Sequence, residues 1–230
     1  MNRNTLRLGS FAARGIIILT ILLITGFILQ LIIVPDRGWI PAKTSYYTID
    51  TSGSFLADFC GVVYFLQTPL ILVLFASLHD YSSGSLKIFS SISLSFIIAF
   101  TALRVLSYIV QFAIKKFNIH ACDDHCLLYY IHSLFQSSTS AIDVMTMTVF
   151  LGLAELFIIP DFSKTNKIEK KIRLTMLIAG IINLTGAMVF ILNISGISAL
   201  IILISYLFFN VGLFLLLKFF RQFKLKEYER

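Results

Sequence analysis

The chain has 230 residues, 57% of them hydrophobic and 13% charged, with 22 phenylalanines and a formal charge of +7. Soluble domains run near 25% charged, and a single core cannot hide this much apolar surface, so a water-soluble globular domain, a disordered chain and a fibrous repeat are all excluded. The composition is that of an integral membrane protein.

A helix that crosses the hydrocarbon layer takes about 20 predominantly apolar residues. Six stretches qualify: about 15–34, 59–78, 88–112, 137–159, 172–192 and 197–219. The first lies between Arg14 and the sequence Pro35-Asp36-Arg37. Three arginines precede it, as in a secretory signal, but the run exceeds the roughly 7–15 residues of a signal's apolar region and no small-x-small site precedes Pro35, so it reads as a retained helix. Only Asn193-Ile194-Ser195-Gly196 separates the last two, which predicts a tight antiparallel hairpin. The segments are apolar on both sides, unlike the alternating runs of about ten residues in a β-barrel, so helix is the reading left. The expected fold is all-α: a single domain over 1–230, a bundle of six transmembrane helices. No internal repeat and no lipidation motif is visible.

Counting Lys and Arg by loop gives the orientation. Fourteen fall on the side of Arg3, Lys164, Lys171 and Arg230, and four, Arg37, Lys43, Lys115 and Lys116, on the other. That bias puts both termini in the cytoplasm, in a cell inner (plasma) membrane of a bacterium or archaeon. The charge is therefore an orientation and headgroup signal, and no nucleic-acid partner is expected. Trp39, Tyr46 and Tyr47 in the long external loop suit the headgroup level.

Ionisable groups at bilayer depth are costly and mark function or a structural pair. Arg104 lies roughly 6 Å, and Asp143 roughly 7 Å, to the outer side of the midpoints of helices three and four at 1.5 Å per residue. Matching depths in consecutive helices predict an Arg104–Asp143 salt bridge, either a packing device or part of a site. Ser107 and Gln111 on helix three, Gln67-Thr68-Pro69 on helix two and the stretch Gln136–Ser140 then suggest a polar pocket opening outward. Glu155, about a turn from Pro160, reads as snorkelling to the cytoplasmic face or meeting Lys164 or Arg173, with a proton-carrying role as the alternative. Asn183 and Asn210 are expected in interhelical hydrogen bonds, and Ser91 with Ser95 as a small-residue stripe for helix packing.

The third loop reads His120-Ala-Cys122-Asp123-Asp124-His125-Cys126. His120, Cys122, His125 and Cys126 are the right donors for zinc, although C-x3-C is not the sharper C-x2-C spacing. In an external loop a disulfide competes, Cys122 with Cys126 or either with Cys60, and free thiols are the third option. No cofactor is required by the sequence. An H-x3-H pair, G-x-S-x-G, H-E-x-x-H, a Walker sequence and a dinucleotide fingerprint are all missing, so nothing selects an enzyme.

Leu103-Arg104-Val105-Leu106, and Leu151-Gly152-Leu153 followed by Ile159-Pro160 and a basic loop, resemble a widespread group of six-helix bacterial integral membrane proteins catalogued as a domain of unknown function, 4386-like. The resemblance spans nearly the whole chain. Members often carry a Glu three residues after the arginine, where this chain has Ser107. It implies the six-helix fold and no activity.

The reading is a non-enzymatic ligand-binding module or accessory subunit of a membrane complex. Its partners are the lipid bilayer and a further protein chain or a second copy. A small transporter or channel using Arg104, Asp143 and Glu155 is the alternative, and a membrane enzyme working through the Cys/His loop the third.

Overall fold

The computed structural model describes residues 3–33, 51–116, 141–192 and 195–228. They form six long helices, and no strand occurs among them. These are α1 (Arg3–Ile33), α2 (Thr51–Tyr81), α3 (Lys87–Lys116), α4 (141–158), α5 (Lys167–Ile191) and α6 (Ser195–Tyr228). Within α4 a π-helical turn, Thr146–Phe150, precedes the α-helical Leu151–Ile158. With the short 3₁₀ turns that adjoin α3 and α4, the six helices give six segments long and apolar enough to cross a membrane: Asn4–Gly26, Asp58–Tyr81, Gly84–Ala113, Ala141–Asp161, Lys167–Ile191 and Ile204–Gln222. The chain thus has the build of a multi-pass membrane protein.

Several helices outrun the expected spans. α1 begins at Arg3 and carries its arginines within the helix, and α6 continues to Tyr228. α5 starts at Lys167 because Asn166 caps it: its side-chain oxygen accepts from the Ile168 amide at 3.0 Å and its amide donates to Glu169 at 2.8 Å. Glu169 also accepts from the Ser163 amide at 2.6 Å. The cap satisfies the Ile168 amide, one of those the first turn leaves without helical partners, and Glu169 in turn holds the Asn166 side chain and the Ser163 amide. Between α2 and α3 the chain turns through Gly84, whose φ of 62° lies in the left-handed region that side chains rarely adopt.

Each helix packs on its neighbours in sequence and α1 closes the ring against α6. At one end the rings of Tyr81 from α2, Phe162 beyond α4 and Phe219 from α6 meet, with centroids 5.1 Å and 5.8 Å from Phe219. Near the other end Phe65 of α2 lies edge-on to Phe112 of α3 at 6.3 Å. The surface inverts the soluble pattern. Phe11, Ile32, Ile88 and Leu192 point outward, while Gln67, Ser93, Arg104, Glu155 and Asn183 are buried. Lipid is the solvent that rewards this arrangement.

The expected serine stripe is corrected. Ser91 and Ser95 are exposed and bond carbonyls of their own helix, Lys87 and Ser91, at 2.8 and 2.9 Å. The face two residues away, nearly opposite on the helix, does the packing: Ser93 is buried and donates to the Ala154 carbonyl of α4 at 2.7 Å.

Candidate functional site

Phe100, Arg104 and Tyr108 follow one another at four-residue intervals along α3, so their side chains share one face. The guanidinium carbon lies 5.0 Å from the ring centroid of Tyr64 on α2, 5.4 Å from that of Phe100 and 5.7 Å from that of Tyr108. A cation enclosed by π-faces recovers part of the solvation it gave up on burial. Arg104 Nε stands 3.3 Å from Asp143 Oδ1 on α4. The contact is side-on, at an angle that leaves both atoms without a hydrogen bond among the described residues. The two terminal nitrogens reach the Met147 sulfur and, at 3.5 Å, the Tyr108 hydroxyl. Arg104 is 2% exposed, whereas the Asp143 side chain keeps 26% of its surface open. The carboxylate therefore stands at the rim with the guanidinium behind it.

The π-turn begins three residues after Asp143, and Met147 belongs to it. Thr146 bonds the carbonyls of Ile142 and Asp143 at 2.8 Å, and Thr148 that of Val144 at 2.8 Å. These hydroxyls supply donors to carbonyls just before a turn whose register departs from the α pattern. The wide turn carries Met147 against Arg104 one helical turn below Asp143.

Other expected site residues divide. Ser107 is buried one turn from Arg104 and accepts from Gln111 at 3.3 Å. Gln67 is also buried, but its amide donates to Thr20 of α1 at 3.1 Å and to Tyr206 of α6 at 2.6 Å, and its oxygen accepts from Tyr206 at 2.9 Å. Every polar group of Gln67 is used in joining α1, α2 and α6. Sequence reasoning missed Phe100 and Tyr108, which helical spacing from Arg104 signals, and Tyr64 and Met147, which only the packing brings together.

Glu155 departs from its expected place. It neither snorkels nor meets Lys164 or Arg173; it is 0% exposed, and Oε2 accepts from Asn183 Nδ2 of α5 at 2.8 Å. Oε1 has no hydrogen-bond partner among the described residues. Arg173 instead donates to the Phe162 carbonyl at 3.1 Å. The inward turn follows from a close helix crossing one turn away, where a Cβ added to Gly180 would lie 2.9 Å from the Gly152 carbonyl oxygen. Asn183 thus forms the expected interhelical bond, while Asn210 bonds the Tyr206 carbonyl of its own helix at 2.7 Å.

Cys60 has no disulfide partner among the described residues. His120, Cys122, His125 and Cys126 lie outside them, and no cluster of three potential metal ligands occurs within them. Comparison with protein-family models, with curated proteins and with solved structures gives no match.

Proposed function

We propose that the chain is a non-enzymatic integral membrane protein, a ligand-binding module or accessory subunit of a membrane complex. It sits in a bacterial or archaeal inner membrane with both termini cytoplasmic. The Lys/Arg bias supports that orientation, which puts Arg104 and Asp143 in the outer-leaflet half. Kinship with the six-helix group of unknown function rests on the Leu103–Leu106 and Leu151–Leu153 motifs and adds no activity.

The observation that carries this reading is the Arg104 guanidinium. It is buried among three rings, and among the described residues it touches its carboxylate through Nε alone and its terminal nitrogens meet only a thioether and a distant hydroxyl. Guanidinium presents five donors in a fork that matches carboxylate or phosphate two-pronged. A ligand or partner bearing such a group, entering beside the partly exposed Asp143, would complete that fork. Native mass spectrometry of the chain extracted in mild detergent tests this. Wild type is expected to retain an acidic small molecule, lipid or partner chain that Arg104→Gln loses. Wild type that emerges empty and monodisperse, and binds no acidic lipid on titration, refutes it.

A carrier or channel working through Arg104, Asp143 and Glu155 is the second reading, and one observation favours it: α4 carries Asp143 and, fully buried further along, Glu155 with an oxygen that has no hydrogen-bond partner among the described residues. It requires that Asp143→Asn and Glu155→Gln each abolish flux in liposomes while the fold survives.

A further inference from the structure

Glu155 lies beside a close crossing of two helices. Gly152 precedes it by three residues on α4, and Gly180 precedes Asn183 by three on α5. A Cβ added to Gly152 would fall 2.9 Å from Asn183 Cβ and 3.2 Å from the Gly180 oxygen. The two backbones are in contact, and the carboxyl beside them is 0% exposed. On the α3 side Ser93 spends its hydroxyl on the Ala154 carbonyl. No Lys, Arg, His or second carboxyl of α3 or α5 interacts with Glu155 among the described residues, and Asn183 is the polar group that faces it. An ionised carboxylate here would be a fully buried charge with no counterion among the described residues, which membrane and protein interiors do not tolerate.

We infer that Glu155 is a proton-binding site, with the proton carried on Oε1 while Oε2 accepts from Asn183. The reading rests on the membrane setting of the bundle and not on the Arg104 site. A metal ion suits the place poorly, because hard cations gather about six oxygen ligands and the neighbour supplied by α5 is a donor nitrogen. A proton, by contrast, removes the charge without gathering further oxygen ligands. Its loss would put a charge between Gly152 and Gly180, so deprotonation and separation of α4 from α5 are linked events.

The test is infrared spectroscopy of the protein in bilayers at pH 7, comparing wild type with Glu155→Gln, which keeps the shape and the Asn183 bond. Wild type is expected to show the carbonyl stretch of a protonated carboxyl that the variant lacks, at the same intensity in sodium and potassium buffers. Asn183→Ala reads the same group independently: losing the amide bond to Oε2 should move that band to higher frequency. A membrane-permeant carbodiimide then adds chemical identity. The carboxyl oxygen bonds to the central carbon, the proton passes to nitrogen, and rearrangement leaves one stable acylurea at Glu155. A wild-type spectrum with ionised carboxylate in place of the acid band overturns the inference. So does an acid band that vanishes on adding sodium, which would assign the site to a metal ion.

Discussion

Removing one member of the Arg104–Asp143 pair should harm the fold more than removing both. Breaking a buried ion pair by deleting one partner costs about 3–5 kcal/mol, because the survivor is an uncompensated charge. The two deletions are unequal here. Asp143→Leu strands a guanidinium that is 2% exposed, and the lone side-on contact at 3.3 Å places the cost near the lower figure, about 3 kcal/mol or roughly 150-fold in the folding equilibrium. Arg104→Met leaves a carboxylate with 26% of its side chain at the surface, less completely enclosed than the guanidinium, so about 2 kcal/mol is expected. Met roughly fills the space between Tyr64, Phe100 and Tyr108, and the double variant removes both charges, so it should fall within about 1 kcal/mol of wild type. The assay is reversible unfolding in bicelles against added SDS, followed by circular dichroism. Costs that simply add in the double variant would show that the two groups are solvated separately, and the polar site would then lose its basis.

Three further outcomes are expected, the first from the Lys/Arg bias of the loops and the others from the packing. Fusions at the carboxyl terminus should fluoresce as green fluorescent protein and be inactive as alkaline phosphatase, with the reverse at Lys43; the opposite pattern inverts the bundle and the leaflet of the Arg104 site. Gly180→Ala should cost about 1–3 kcal/mol, since its Cβ would meet Leu156 Cγ at 2.8 Å, whereas Gly61→Ala, whose nearest neighbour is at 3.7 Å, should be nearly neutral; equal midpoints in SDS titration refute the close crossing. Gln67→Leu should cost about 1 kcal/mol, and Tyr206→Phe should add little in that background because each acts through the same bonds; additive losses would separate them.

How much was legible follows from what hydropathy measures. It finds residues that tolerate lipid, so it located six spans but cut α5 at Ile172 and passed over the polar turn from Lys167. Asn166 and Glu169, three apart, signal that start. Depth, read by counting residues, was enough to pair Arg104 with Asp143. Angle was not, because a lipid-facing helix is apolar nearly all round and gives no amphipathic stripe to fix its rotation. Hence Ser91 and Ser95 were expected where Ser93 packs, Gln67 was turned towards the wrong neighbours, and Glu155 was sent to the interface. One signal was present and unused: Gly152 before Glu155 and Gly180 before Asn183, at the same three-residue interval, mark two faces that meet.

The polar contacts of the bundle also sort themselves by satisfaction. Lipid offers no hydrophobic drive between helices, so hydrogen bonds and small residues must hold the ring. Thr20, Gln67 and Tyr206 do so for α1, α2 and α6, and Ser93 does so for α3 and α4, with each hydroxyl or amide engaged. Such closed sets have no capacity left for a ligand. Arg104 Nε, Asp143 Oδ1 and Glu155 Oε1 are buried and lack a hydrogen bond among the described residues, all three within membrane-spanning segments. Asp161 Oδ2 joins them at the bundle's end, one residue beyond Pro160, where its carboxyl also accepts from Ser82. A buried polar atom without a partner is a standing cost that most folds eliminate. Its survival at three atoms of α3 and α4 among the described residues, at two depths of one helix pair, is the physical reason to look for ligand and proton there and not at the better-bonded Gln67.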